Sequence, residues 1–158
     1  MENHYQSPWF VEALQKEGDL NVNQLNSNLN TDICIIGGGF TGLWTALKIK
    51  EKSPRTDIVI IEKDLCGSGA SGRNGGCMIP QSTKFQGIKQ IVGLKDAKNI
   101  VMATEAAVNN IKDYCQKNNI DAQIRDDGVF YGATNKFHKV AFEGLIKDLN
   151  ENKINTWE

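Results

Sequence analysis

The sequence is poor in the features that mark several common classes of protein. Its 158 residues contain no apolar run longer than a β-strand, so we expect no transmembrane helix. No apolar leader follows the first methionine, which argues against a secretory signal. Lysine and arginine number 18 against 19 acidic residues, and this near-neutral balance predicts binding neither to nucleic acid nor to an anionic membrane.

Cysteine and histidine are also scarce. The four cysteines are Cys34, Cys66, Cys77 and Cys115, without CxxC spacing or neighbouring histidines. This pattern predicts neither a disulfide framework nor a zinc or other metal site, and it favours a reducing, cytoplasmic setting. The serine, histidine and aspartate residues show no triad arrangement and no nucleophile elbow, so the sequence identifies no catalytic residue.

Glycine, by contrast, is concentrated in two loops. The first loop, Gly37–Gly42, follows the apolar run Ile33–Ile36, which we expect to be a strand buried on both faces. After the loop, apolar residues at helical spacing predict a helix, and Ser53-Pro54-Arg55 predicts its end. The next apolar run, Ile58–Ile61, reads as a second strand and leads into the acid Glu62.

This order of strand, glycine turn, helix, strand and acid is typical of a dinucleotide-binding βαβ unit in an α/β fold. We expect Gly37 to permit the tight turn, Gly39 to let the pyrophosphate approach, and Gly42 to let the helix pack on the strand. The helix N-terminus would face the phosphates, and Glu62 would bind the adenosine ribose. A glycine turn without a ligand and a merely solvated Glu62 are the alternatives.

The second loop spans residues 66–76 and contains five glycines in eleven residues, which disfavours a regular helix or strand. Arg73 adds a permanent cation and Asn74 a group that both donates and accepts hydrogen bonds. A flexible linker would not need these side chains, so we expect the loop to cover part of a bound dinucleotide. A solvated surface loop is the alternative.

The rest of the sequence divides into simpler segments. Residues 1–31 are polar and are expected to be an arm, whose aromatic pair Trp9-Phe10 docks on the fold. Residues 87–118 show the spacing of a core-packing helix. Residues 120–133 predict strands joined by a turn at 126–128, and residues 135–150 predict another helix. The two convincing parallel strands are fewer than a complete doubly wound sheet requires.

The runs DICIIGGGFTGLWTAL, IIEK and GASGRNGG together resemble the N-terminal part of FAD-dependent oxidoreductases of the D-amino-acid oxidase superfamily, with amine oxidases as the nearest likeness. The resemblance extends from about Ser7 to the end of the sequence. It implies FAD rather than NAD as the cofactor, and oxidation of a C–N bond of a small amine or amino acid by hydride transfer to flavin. It also implies an incomplete Rossmann-like FAD-binding unit over 32–118 and the start of a substrate-binding sheet over 119–158.

The resemblance carries a set of cofactor-binding positions onto this sequence. The first loop and the acid after the second strand match the pyrophosphate and ribose contacts, and the second loop matches a segment that passes near the flavin. The implied residues are Gly37, Gly39, Phe40, Thr41, Gly42, Glu62, Lys63, Ser71, Gly72, Arg73, Asn74, Gly75 and Gly76. Cys77 and Met78 would follow close to the flavin ring, where Cys77 is expected to be a packed thiol, with covalent flavin attachment as the alternative.

Members of the resembled family continue well beyond the length of this sequence. We therefore expect activity only together with a complementing C-terminal polypeptide that supplies the remaining strands and most of the substrate pocket. The competing interpretations are an inactive truncated remnant of such an enzyme and a fragment of a nicotinamide-dependent dehydrogenase. The Arg73-Asn74 loop argues against the dehydrogenase.

Overall fold

A computed structural model describes residues 7–18, 23–154 and 157. They form two compact units, Met1–Cys77 and Met78–Glu158. Within the described ranges no helix is both long enough and apolar enough to cross a membrane. The elements are α1 (Pro8–Glu17), β1 (Ile33–Ile36), α2 (Phe40–Lys52), β2 (Ile58–Ile61), α3 (Phe85–Lys117) and α4 (Lys136–Glu151), with 3₁₀ turns at Ala70–Gly72 and Gln81–Lys84.

The first unit is built on the predicted βαβ arrangement. Strands β1 and β2 are parallel, with Ile33 opposite Ile58 and Ile36 opposite Ile61, and α2 forms the crossover between them. The Ser53 N–H donates to the carbonyl of Ile49 at 2.7 Å and closes the last turn of α2. The two strands, the helix and the helix end are therefore confirmed, and the fold is of mixed α/β class.

The prediction that β1 is buried on both faces is wrong. Ile33 and Ile35 are half-buried, whereas Cys34 is exposed and Ile36 is 88% exposed. Because side chains alternate along a strand, one face of the sheet carries α2 and the other carries Cys34 and Ile36. Among the described residues β1 and β2 form a two-stranded sheet, and no helix covers its second face.

The predicted N-terminal arm contains a helix that periodicity alone did not reveal. Ser7 caps α1, and its hydroxyl accepts a hydrogen bond from the Phe10 N–H at 3.2 Å. Proline follows at the first helical position, where its missing N–H costs nothing. Ser7-Pro8 was thus a readable helix start signal. Residues 1–6 and 19–22 of the predicted arm lie outside the described residues.

The second unit packs two helices, and both agree with the predicted ones. Helix α3 bends at Gly93, whose φ of 82° is non-helical. Lys89 on α3 and Asp148 on α4 form an ion pair at 2.5 Å beside the apolar core. That core consists of Phe85, Ala97, Val101, Leu145, Leu149 and Ile154.

The predicted strands over residues 120–133 are not formed. The structure has no regular element from Ile120 to Thr134, and Phe130 is 98% exposed. The physical reason is that a short hairpin gains little stability without a third strand or a covering helix, and this unit contains no strand among its described residues. The division into flavin and substrate parts at residues 118 and 119 stays a prediction.

Candidate dinucleotide site

The first glycine loop leaves β1 in a conformation that requires glycine. Gly37 has a φ of 103°, which L side chains rarely adopt, and its N–H donates to the Ile61 carbonyl at 2.8 Å. The chain then enters α2 at Phe40. The loop is therefore anchored to β2 at one end and to the start of α2 at the other.

Gly42 lies where α2 approaches the end of β1. A Cβ at this position would overlap the carbonyl oxygen of Gly37 and lie 3.2 Å from Cγ2 of Ile35. The structure thus shows a close helix–strand contact at Gly42, as the sequence predicted.

Glu62 lies at the same loop. Its carboxylate accepts hydrogen bonds from the N–H groups of Gly38 at 2.7 Å, Lys63 at 2.9 Å and Asp64 at 3.3 Å. The Gly38 hydrogen bond first, and the other two with it, hold the pKa of Glu62 below its ordinary value of 4.5. The carboxylate is therefore charged at neutral pH and keeps lone pairs for a further donor such as a hydroxyl.

The second glycine loop lies against the first. The Gly67 N–H donates to the Gly38 carbonyl at 2.9 Å, and the Ser71 hydroxyl accepts from the Phe40 N–H at 2.9 Å. Cys66 packs so tightly on Gly38 that a Cβ there would overlap its sulfur. Sequence reasoning missed Cys66 and Gly67 as contacts of the first loop, because no sequence signal relates two loops this far apart.

Helix α1 also contacts the second loop. The Ser7 hydroxyl donates to the Gly72 carbonyl, and the Phe10 ring lies 3.1 Å from the position of a Cβ on Gly72. The predicted docking of the aromatic pair therefore holds for Phe10, whereas Trp9 is 53% exposed.

The remaining predicted site residues lie at the exposed end of the second loop or beside the first. Arg73 Nε donates to the Ser68 carbonyl at 3.1 Å, and Asn74 bridges the Ser71 carbonyl at 2.6 Å and the Gly76 N–H at 2.7 Å. These contacts hold the shape of the loop. Of all the predicted cofactor-binding residues, those that are exposed are Phe40, Thr41, Lys63, Arg73, Asn74, Gly75 and Gly76.

Cys77 is exposed rather than packed, so the expectation of a packed thiol is wrong. The reason is that it follows the glycine pair at the open end of the loop, and its thiol lies 3.7 Å from the Gly75 carbonyl oxygen. Met78 belongs to the second unit. Within the part of the chain that the structure describes, no group of three or more histidine, cysteine, aspartate or glutamate residues is arranged to hold a metal ion.

The residues of the first unit fit the ADP half of FAD. The first N–H groups of a helix have no carbonyl partner within the helix, so at the start of α2 those of Thr41 and Gly42 can donate to an anion at the positive end of the helix dipole. No atom lies within 4 Å of a Cβ position on Gly75 or Gly76, so a ligand can approach their backbone. Glu62 retains the acceptor capacity that a ribose hydroxyl requires.

Comparisons with known proteins agree with this geometry. The sequence profile of the family described as "FAD dependent oxidoreductase" matches residues 32–156. Gamma-glutamylputrescine oxidoreductase of Escherichia coli is 32% identical over 135 residues, which are 85% of this chain and 29% of that protein. A probable oxidoreductase OrdL of Rhizobium meliloti is 29% identical over 113 residues, or 71% of this chain and 25% of that protein.

A probable oxidoreductase OrdL of Haemophilus influenzae is 36% identical over 75 residues, 48% of this chain and 16% of that protein. No solved structure gives a significant match. The chain thus spans less than a third of the length of these curated relatives. Since the family profile covers both strands, the two glycine loops and most of the second unit, the chain belongs to the family of FAD dependent oxidoreductases.

Proposed function

We propose that this chain provides the part of an FAD site that holds the pyrophosphate and the adenosine ribose of the cofactor. Two hydrogen bonds that join the two glycine loops support this proposal: the Ser71 hydroxyl accepts from the Phe40 N–H at 2.9 Å, and the Gly67 N–H donates to the Gly38 carbonyl at 2.9 Å. Together with Glu62, the loops surround the N-terminus of α2. This arrangement presents donors to phosphates and an ionised acceptor to a ribose.

The residues of the site have separate roles in this proposal. The N–H groups of Thr41 and Gly42 bind the pyrophosphate, and the Glu62 carboxylate accepts from the ribose hydroxyls. Arg73 and Asn74 hold the second loop in shape, so that the backbone of Gly75 and Gly76 can approach the flavin side of the cofactor. Lys63 places a positive charge beside Glu62.

We further propose that the complete protein oxidises a C–N bond of an amine or amino acid, because one relative is named for γ-glutamylputrescine. Bound FAD supplies the hydride acceptor for such a reaction. We assign substrate binding and turnover to a complementing C-terminal polypeptide, because the matched residues make up 29% of the length of that relative.

Titration with FAD and, separately, with NAD⁺ tests the cofactor assignment. We expect the purified chain to quench flavin fluorescence with saturation at one FAD per chain, and to bind NAD⁺ more weakly. Arg73→Ala should reduce the preference for FAD over NAD⁺, because it removes the hydrogen bond to the Ser68 carbonyl that holds the second loop in shape. Arg55→Ala, in the exposed turn after α2, is the matched control. Equal affinity for the two dinucleotides would favour the nicotinamide-dependent alternative.

A further inference from the structure

Helix α2 begins without a capping side chain of its own. Its N-cap residue is Gly39, which makes no side-chain hydrogen bond to the first turn. The Phe40 N–H instead donates to the hydroxyl oxygen of Ser71, 31 residues later in the chain, at 2.9 Å. Ser71 thus satisfies one of the first N–H groups of α2, as an N-cap serine satisfies the N–H of the second or third residue of its own helix.

The backbone that carries the Ser71 hydroxyl is held by hydrogen bonds within the second loop. The Ser71 carbonyl accepts from the Asn74 side chain at 2.6 Å, and Asn74 accepts from the Gly76 N–H at 2.7 Å. At the other end of the loop, Gly67 donates to the Gly38 carbonyl at 2.9 Å. The cap is therefore one of two hydrogen bonds that join the second loop to the first.

We propose that Ser71 is a positioning residue: its hydroxyl caps α2 and fixes the second glycine loop against the first, so that both loops present one surface. The resemblance to the family places Ser71 among the flavin contacts, whereas this inference assigns it a role through Phe40. Its consequence for FAD binding rests on the function proposed above, but the cap itself exists without a ligand.

The contact with Ser71 also explains why residue 39 is glycine, in addition to the expected approach of the pyrophosphate. Its φ of −86° and ψ of −176° are open to any L-residue, so the backbone does not require glycine. The atoms near a Cβ on Gly39 are the Ser71 hydroxyl oxygen at 2.9 Å and the Ser71 Cβ at 3.9 Å. Only the distance to the Ser71 hydroxyl oxygen is shorter than an ordinary van der Waals contact. Gly39 and Ser71 should therefore be energetically coupled.

Hydrogen exchange at the Phe40 amide tests the cap directly and needs no FAD. We expect exchange to be about fivefold faster in Ser71→Ala, the factor expected for the loss of a typical helix cap. Ser71→Thr keeps the hydroxyl and should restore slow exchange. Ser68→Ala, in the same loop, is the matched control and should behave like the parent chain. Equal rates in the parent and Ser71→Ala, or fast exchange in the parent itself, would overturn the inference.

A double-mutant cycle tests the coupling. Gly39→Ala in the parent chain should accelerate exchange at Phe40, because the new methyl group displaces the Ser71 hydroxyl. In the Ser71→Ala background the same change should have little further effect, since the nearest remaining atom is 3.9 Å away. Additive effects of the two substitutions would contradict a contact between these residues.

FAD titration of the same variants separates the inference from the proposed function. We expect Ser71→Ala to raise the Kd for FAD severalfold and Ser71→Thr to restore it. If Phe40 exchange responds as expected but the parent chain binds no FAD, the proposed function is wrong and the cap stands. If FAD binds and Ser71→Ala changes neither exchange nor affinity, the positioning role is wrong.

Discussion

At the scale of single residues, the glycines of the first loop are needed for different physical reasons. Gly37 has a positive φ, Gly42 lies under a carbonyl oxygen, and Gly39 faces the Ser71 hydroxyl. The spacing of the glycines predicted the turn at Gly37 and the close packing of α2 on β1 at Gly42. It could not predict the Ser71 contact, because a hydrogen bond between two loops leaves no periodic pattern in the sequence.

Gly42→Ala should destabilise the first unit. The added methyl group overlaps the Gly37 carbonyl oxygen, and we expect a loss of about 1–3 kcal/mol in the free energy of unfolding. Gly75→Ala is the control, because no atom lies within 4 Å of a Cβ there and its φ is not positive. Denaturant unfolding measures both variants. A Gly42→Ala variant as stable as Gly75→Ala would refute the close contact.

The hydrogen bonds to Glu62 predict a dependence of stability on pH. Because they lower the pKa of Glu62 in the folded state, its charged form stabilises the fold fully above the ordinary value of 4.5. This contribution is lost as the pH falls through the lowered pKa. Glu62→Gln should therefore be less stable than the parent at pH 7, and the difference should vanish in acid.

Chemical unfolding at several pH values measures this effect, with Glu17→Gln at the exposed end of α1 as a control of equal charge change. The control removes the same charge without removing the carboxylate that accepts from the N–H groups of Gly38, Lys63 and Asp64. A stability difference for Glu62→Gln that persists unchanged at the lowest pH would contradict the hydrogen-bonded carboxylate.

At the scale of elements, the sequence correctly predicted those helices and strands whose pattern lies within the element itself. The βαβ unit and the two helices of the second unit were predictable, since apolar spacing lies within each element and Ser53-Pro54 directly follows α2. The strands expected over residues 120–133 did not form, because strand pairing depends on neighbours that local sequence does not specify. The start of α1 was readable from Ser7-Pro8, whereas the bend at Gly93 was not anticipated.

The bend in α3 predicts that alanine substitutions at two of its glycines change the stability in opposite directions. Gly93 has a φ of 82° and a ψ of 168°, a region nearly restricted to glycine, so Gly93→Ala should cost about 1–3 kcal/mol. Gly87 lies in the same helix with no atom within 4 Å of a Cβ, so Gly87→Ala should stabilise by about 0.5–1 kcal/mol. Thermal unfolding compares them. Stabilisation by both changes would mean that α3 is straight.

At the scale of the whole chain, the first unit exposes the second face of its sheet. Parallel sheets are normally covered on both faces, and Ile36 here is 88% exposed. We expect the isolated chain to self-associate through this face. Ile36→Thr should reduce association, seen by sedimentation velocity, without loss of stability. Ile35→Thr, on the half-buried face, should instead destabilise the unit. A monomeric parent chain with a sharp, reversible unfolding transition would contradict this expectation.

The cofactor class was predictable because its pattern, like that of the helices, lies in short continuous stretches of the sequence. Glycine spacing and the acid after β2 encode the shape of a dinucleotide, and the GASGRNGG run distinguishes flavin proteins from nicotinamide ones by resemblance. The substrate was not predictable. The chain spans 29% of the length of the relative named Gamma-glutamylputrescine oxidoreductase.

We propose that the glycine loop at the N-terminus of α2 binds the pyrophosphate of FAD. Calorimetric titration of FAD into the parent chain and into Gly39→Val tests this role. We predict one FAD bound per parent chain and no measurable binding to Gly39→Val, because the valine side chain would occupy the space of the pyrophosphate and displace Ser71. Stoichiometric FAD binding by Gly39→Val, or no binding by the folded parent chain, would contradict the claim.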